Sequence, residues 1–395
     1  MNGTDMDFKV FTLNCWGIPL VASNKNARIQ AIASSLATCP YDVVCLQEVW
    51  TDSDYIIIRD KVRGTLPYSH YFYSGVLGSG VCVFSKHPIV DTHFHKWMVN
   101  GYVHKLHHGD WFGGKGIGLC QIKWKGMLLN IYSAHLHAEY NRKCDEYYAC
   151  RVVQAFDTAQ FINFTSASAD VIILAGDLNC EPGDLTYRYM VEMTALQDAF
   201  KVQKDGTKGP TNLDLQNTYT PKSFKEKGMD GPRIDYVLYK GCHNTQVSLV
   251  EYKQPFPERI PGMNISYSDH EAITATLNIT KGDTYVENKA IATKFNESML
   301  LEGVAVMDAG LENVAKHKVC YWIISILLLA VIIGSFFYVP EFEAVLDCLR
   351  ILLTIIMSYT FVMATLWNMI ETNTLYATKL AMQINLKTIQ NENSS

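Results

Sequence analysis

The 395-residue sequence is short of charge. Asp, Glu, Lys and Arg make up 18% of it, against roughly a quarter in soluble domains. There is no basic excess either, since 34 Lys and Arg against 39 Asp and Glu leave a net charge of −5. A protein built to grip a polyphosphate backbone needs a basic surface, so nucleic acid is not an expected partner. Paired cysteine spacing is also missing. The 11 cysteines are odd in number and scattered, with no C-x-x-C pattern. That argues against a disulfide framework or a thiolate zinc site and fits a reduced compartment. The opening M-N-G-T-D-M-D-F has no basic stretch leading into an apolar one, so no secretory signal is expected.

What the chain has in excess is apolar length, and it is concentrated near the end. Residues 319–339 contain no charge, and residues 351–370 are again uncharged and rich in Ile, Leu and Met. A helix needs about 20 apolar residues to cross the hydrocarbon layer. Two transmembrane helices, 319–339 and 351–371, are therefore expected rather than two buried core helices. The connection at 340–350 allows only a tight hairpin, which leaves both long ends on one side of the membrane. Lys316, His317 and Lys318 precede the first span and Lys379 and Lys387 follow the second, whereas the hairpin loop holds only Arg350. By the positive-inside rule the loop is translocated and both termini are cytosolic. Spans of this length fit the thinner endoplasmic reticulum membrane. Residues 282–318 read as a juxtamembrane linker with an amphipathic segment at 299–314, and 372–395 as a tail.

Residues 1–281 read as one large α/β domain without internal repeats or low-complexity breaks. Apolar strand-like runs occur at 8–13, 43–46, 81–84, 117–122, 127–132, 171–175, 236–239 and 272–279. Helix-period stretches lie at 27–37 and 144–164. Many strands and few helices predict two packed sheets flanked by helices. Polar residues collect where these strands end: Asn14, Glu48, His135, Asp177 with Asn179, and the pair Asp269–His270. Each alone is an ordinary strand terminus. As a set they are what a ligand site on a common rim requires. Carboxylates, carboxamides and imidazoles without cysteine are hard ligands that suit Mg²⁺, or Mn²⁺, and not Zn²⁺.

The motifs L-N-C-W, L-Q-E-V-W, G-D-L-N, R-I-D-Y and S-D-H resemble the endonuclease/exonuclease/phosphatase family. That resemblance implies a deoxyribonuclease-I-like four-layer α/β sandwich. N-C-W-G-I-P from Asn14, G-S-G-V-C-V-F-S-K-H-P-I from Gly78, H-H-G-D-W-F-G-G-K from His107 and H-L-H-A-E-Y-N-R from His135 narrow it. These resemble the neutral, Mg²⁺-dependent sphingomyelinases with a C-terminal membrane hairpin. The implied activity is hydrolysis of sphingomyelin to ceramide and phosphocholine. A phosphocholine lysophospholipid is the alternative substrate. A nuclease or inositol-phosphate phosphatase of the same fold, or a binding pseudoenzyme, are the other readings.

On this reading Glu48 is a direct metal ligand supported by Asn14, with Asp269 helping to hold the metal or the water. His270 is the general base, and Asp235 resembles the family's orienting aspartate. Asp177 and Asn179 position the attacking water and the phosphate. His135, if protonated, binds a phosphoryl oxygen. The resemblance makes Lys115 a cationic stabiliser that Asp110 holds or releases as a switch. His104, His107 and His108 cluster in sequence, but no ligand set completes them. Trp111 and Phe112 are expected at a membrane interface.

Overall fold

The alternation of apolar residues along β-strands, whose successive side chains point to opposite faces, decides how the first part of the chain is layered. The computed structural model describes residues 6–105, 108–204, 206, 209–282, 296–337 and 343–394. The chain divides into two units, Met1–Asn296 and Glu297–Ser395. The described strands of the first unit are β1 (Asp7–Asn14), β2 (Val43–Gln47), β3 (Tyr68–Tyr71), β4 (Cys82–Ser85), β5 (Ile89–Lys96), β6 (Gly116–Trp124), β7 (Met127–His135), β8 (Val171–Asp177), β9 (Gln197–Asp198), β10 (Asp235–Gly241), β11 (Thr245–Lys253) and β12 (Ile273–Lys281). They form two six-stranded sheets, ordered β11-β12-β1-β2-β4-β3 and β5-β6-β7-β8-β10-β9.

Phe8, Val10, Val43 and Cys45 turn toward the second sheet and pack with Cys120, Ile122, Leu129, Ile131, Val171 and Ile173. Their neighbours Phe11, Leu13, Val44 and Leu46 turn the other way. There they meet Ile29, Ile32 and Leu36 of α1 (Lys25–Thr38) and Ile58 and Val62 of α2 (Asp52–Val62). On the outer face of the second sheet, α3 (Tyr148–Thr165) lies with α4 (Leu185–Glu192). Phe161 of α3 packs edge-on against Tyr132 of β7. Helix, sheet, sheet, helix is the expected four-layer sandwich. Two single-turn helices, α5 (Ala199–Val202) and α6 (Lys222–Lys225), sit in the later loops.

All eight strand-like runs fall on strands, and both helix-period stretches fall on α1 and α3. Four strands and two longer helices, β3, β5, β9, β11, α2 and α4, were not anticipated from the pattern. The eleven cysteines are all unbridged, and six lie buried in the strands or loops around them.

The second unit contains two helices long and apolar enough to cross a membrane. α7 (Glu297–Ser335) is followed by α8 (Glu343–Val362), a π-helical turn at Met363–Trp367 and α9 (Asn368–Ser394). α7 and the α8–α9 arm are antiparallel. Ser325 bonds Thr360 at 2.8 Å, Asn368 Nδ2 donates to Val314 O at 2.8 Å, and Gln390 reaches Glu297 at 2.9 Å. From residue 297 the segment expected as linker is therefore the start of α7, and its buried Leu300, Gly303, Met307, Gly310 and Val314 recur every three or four residues. That spacing is a helix-packing seam, and it coincides with the amphipathic segment expected at 299–314. Residues 283–295 of the linker and 340–342 of the hairpin loop lie outside the described residues.

Candidate active site

Strand register brings most of the polar strand ends together. In the second sheet His135 of β7 pairs with Asp177 of β8, and Asp177 pairs with Asp235 of β10. Three functional groups thus end three adjacent strands in one row. In the first sheet Asn14 of β1 pairs with Gln47 of β2, the residue before Glu48. Ser268, Asp269 and His270 lie just before β12. Two glycines make the close approaches possible. A Cβ on Gly17 would stand 2.2 Å from Glu48 O, and one on Gly176 2.1 Å from Ala134 O. These are the glycines of N-C-W-G and G-D-L-N. Glu48 (φ 56°) and Asn179 (φ 45°) both adopt the left-handed backbone region, a strain that concentrates at functional sites.

His270 Nδ1 stands 2.8 Å from Asp235 Oδ2, and its Nε2 is 3.9 Å from Asp177. Asp177 accepts from Asn14 Nδ2 at 2.9 Å and from the Asn179 backbone N–H at 3.0 Å. Asn14 also donates to Glu48 Oε1 at 3.3 Å, and its own carbonyl oxygen accepts from Trp16 N–H. Asn14 is therefore a bridge between two carboxylates. Burial would lower the His270 imidazole, but the Asp235 charge and hydrogen bond, with Asp177 and Asp269, hold it well above its ordinary value. Burial and the Asp235 charge push Asp177 up to about 7.

A second group adjoins this one. Lys115 is fully buried and ion-paired to Asp110. Its Nζ also lies 3.0 Å from Leu136 O and 3.3 Å from His135 Nε2. Asn179 Nδ2 donates to the same Leu136 carbonyl at 3.0 Å. Tyr140 donates its hydroxyl hydrogen to Asp110 at 2.5 Å. Burial acts to raise Asp110, but the Lys115 charge and these hydrogen bonds hold it well below the carboxylate range. Burial, reinforced by the Lys115 ammonium, pushes the His135 imidazole well below its ordinary value, which disfavours the protonated form.

Asn14, Glu48, His135, Asp177, Asn179 and His270 line one cavity of about 280 Å³. Asp235 stands behind His270, and Lys115 and Asp110 line an adjoining hollow. The donor set fits a hard divalent cation. Glu48 Oε2 is buried and has no hydrogen-bond partner. Burial and then the Asp269 charge raise Glu48, so two carboxylates repel each other here, which a cation would relieve. Asp177, Asp235 and His270 also have ligand atoms within 4.8 Å of one another. Within that group the His270 Nδ1 is committed to Asp235, which leaves Nε2 on the side of Asp177.

His104 stacks on Tyr102 and His108 on Tyr140, so neither joins a metal cluster among the described residues, and His107 lies outside them. Trp111 and Phe112 are half-buried and pack edge to face at 5.1 Å. The sequence reading missed Arg28. Its buried guanidinium donates to the carbonyls of Ser23 (2.9 Å), Cys15 (2.7 Å), Trp16 (2.7 Å) and Tyr267 (3.3 Å). It ties the loop after Asn14 to the loop before Asp269, and no local motif marks it. It missed Tyr140 as well, although that residue lies inside the quoted H-L-H-A-E-Y-N-R.

This fold is that of a class of phosphoesterases whose members commonly use divalent metal ions. The chain belongs to the endonuclease/exonuclease/phosphatase family, whose sequence profile matches residues 11–270. It is similar to a Drosophila melanogaster protein named as a candidate neutral sphingomyelinase, 36% identical over 96% of this chain and 97% of that one. It is also 42% identical to sphingomyelin phosphodiesterase 2 of Homo sapiens over 271 residues, covering 68% of this chain and 64% of that protein. Within the family the chain thus falls in the neutral sphingomyelinase branch. Sphingomyelinase C from Streptomyces griseocarneus shares the fold at a TM-score of 0.52 and 20% identity, over 68% of this chain and 99% of that one.

Proposed function

We propose that the chain is a Mg²⁺-dependent phosphodiesterase of phospholipase-C type that hydrolyses sphingomyelin to ceramide and phosphocholine. The observation that carries this reading is the His270–Asp235 pair, at 2.8 Å, opening on the same cavity as the unpartnered carboxylate oxygen of Glu48. The sphingomyelinase names of the relatives support the substrate.

A phosphodiester resists water because its anionic oxygens repel the nucleophile and its alkoxide leaves poorly. Glu48 and Asp269 would hold the Mg²⁺, with Asn14 orienting Glu48 and Mn²⁺ serving as a substitute. The bound ion would neutralise phosphoryl charge and stabilise the departing ceramide alkoxide. His270, in its neutral form, takes the proton of the attacking water at Nε2 while Asp235 fixes the Nδ1–H tautomer, and a proton from solvent completes the ceramide hydroxyl as the alkoxide leaves. Asp177 and Asn179 orient that water and the phosphate from the end of β8. Lys115 supplies cationic stabilisation of a phosphoryl oxygen, and Asp110 governs whether its ammonium is held or free. His135, kept neutral, fixes the Lys115 ammonium from one side.

The two C-terminal helices anchor the catalytic unit in a membrane, with both termini cytosolic and the endoplasmic reticulum as the membrane. The flanking Lys residues and the span lengths support this. Hydrolysis in ¹⁸O-labelled water tests the chemistry. The label is expected in phosphocholine and absent from ceramide; label in ceramide would mean carbon–oxygen cleavage and overturn a His270-activated attack on phosphorus. Release from a lysophospholipid but not from sphingomyelin would keep the mechanism and change the substrate.

A further inference from the structure

Beside the polar cavity lies a second hollow of about 280 Å³, and the two share Glu48, His135, Ala138 and Tyr140. Its walls are mostly apolar, and Ile18, Pro19 and Leu77 are among the residues that line it. The loops bearing these residues continue outward into exposed apolar side chains. Leu20 is fully exposed, Val21 is 69% exposed, Val76 83% and Leu77 55%. Tyr73, also exposed, stands at the base of the second loop. Residues 16–24 and 73–79 contain no charged residue. Elsewhere in this unit exposed apolar residues such as Val202, Met229 and Val250 sit on separate elements, which is ordinary. Two uncharged loops with adjoining apolar tips around the mouth of one cavity are not.

The loops are also fixed in place. Gly75 bridges Gly113, Gly114 N–H donates to Gly78 O at 2.9 Å, and a Cβ on Gly75 would stand 2.6 Å from Gly114. The second loop is thus fastened to the segment that leads through Lys115 into β6. Leu20 occupies the left-handed region at φ 66°, an unfavourable conformation for Leu that presents its side chain to the outside.

We infer that residues 18–21 and 73–77 are the surface by which the catalytic unit itself meets a phospholipid bilayer, a contact additional to the C-terminal helices. The inference deepens the sphingomyelin reading, because a lipid leaving the bilayer beside these loops enters a hollow floored by Glu48 and His135. The absence of charge sets the mode of contact. Binding is by insertion of apolar side chains into the interface, so it takes an uncharged phosphocholine surface and needs neither anionic lipid nor low salt.

The test uses the full chain in nanodiscs of phosphocholine lipid, with a solvatochromic fluorescent amino acid at Leu20 or at Val76. A control carries it at Val250, on the β11 edge of the first sheet. A blue shift and quenching by spin-labelled lipid are expected at 20 and 76 and not at 250, unchanged by high salt or by added anionic lipid. No shift at 20 and 76, or a shift that requires anionic lipid, overturns the inference whatever the enzyme's substrate. A companion variant, Leu20→Ser with Val21→Ser and Val76→Ser, should lower the ratio of activity on bilayer sphingomyelin to activity on a water-soluble phosphocholine ester by about tenfold, a loss equivalent to a few exposed methyl-bearing side chains. An unchanged ratio counts against the bilayer contact, whereas an absence of any wild-type activity on either substrate counts against the sphingomyelin reading instead.

Discussion

A buried carboxylate oxygen without a partner is costly, and Glu48 keeps one in the floor of the cavity. If that oxygen is reserved for Mg²⁺, the ion stabilises the folded protein by mass action. Adding Mg²⁺ should raise the thermal midpoint of the catalytic unit in the wild type and leave it unmoved in Glu48→Gln, whose turnover should fall by about 10³-fold or more. Differential scanning fluorimetry beside an activity assay checks both. Asp235→Asn should lower kcat by roughly 10³-fold with little change in KM, since it removes the group that orients His270 without touching substrate. A third residue gives a pH dependence. Burial pulls the His137 imidazole down to about 4, although the Asp110 charge acts against that pull. An unfolded histidine takes its proton near pH 6.5. Between those values the unfolded chain binds a proton that the folded chain refuses. The contribution is therefore intact above about pH 6.5 and is lost as pH falls toward 4, by up to about 3 kcal/mol. Thermal unfolding across that range should show a steep fall for the wild type and a shallower one for His137→Gln. At this scale the sequence was legible where a functional group ends a strand, as with Asn14, Asp177 and His135. It was not legible for Arg28, which sits on α1 one residue before the core-facing Ile29 and acts only through backbone carbonyls distant in sequence.

The strands that the pattern missed share a physical cause. β5 and β11 are sheet edges, and their mixed polar sequences T-H-F-H-K and S-L-V-E-Y-K give no apolar run. α2 contains Y-I-I-I, which reads as a strand by β-branched content. What makes it a helix is its start: Thr51 accepts from the Asp54 N–H at 3.1 Å, and Asp52 and Asp54 occupy the first turn. In the second unit the missed feature is the seam of α7. The 39 residues of that helix extend about 58 Å at 1.5 Å per residue, nearly twice the hydrocarbon layer. The part beyond a single span packs on α9, where Leu375, Met382 and Leu386 are buried. Met307→Asp should break that packing at a cost of about 3 kcal/mol. The reading is limited trypsin digestion of the detergent-solubilised chain, with cleavage at Lys316 and Lys318 much faster in the variant and an equal rate in both contradicting the seam.

For the whole molecule, low charge and a concentrated apolar tail lead to an expected catalytic domain ending at 281 and a membrane-spanning tail, whereas the chain divides near residue 296. The order of the strands in each sheet was not legible, because the pairings that assemble the site, such as β1 with β12 and β10 with β8, join segments far apart in sequence. The proposed topology predicts that a glycosylation acceptor introduced into the 340–350 loop is glycosylated in microsomes while the N-x-S/T acceptor sequences at Asn163, Asn264 and Asn278 are not; modification at those three would invert it. The central claim is a cation-dependent attack by a His270-activated water on sphingomyelin. It is tested most directly by phosphocholine release from sphingomyelin in mixed micelles at neutral pH, with Mg²⁺ and with chelator, for the wild type and His270→Ala. Release that requires Mg²⁺ and vanishes in the variant is the expected result. Release that survives the chelator or the loss of His270 would contradict it.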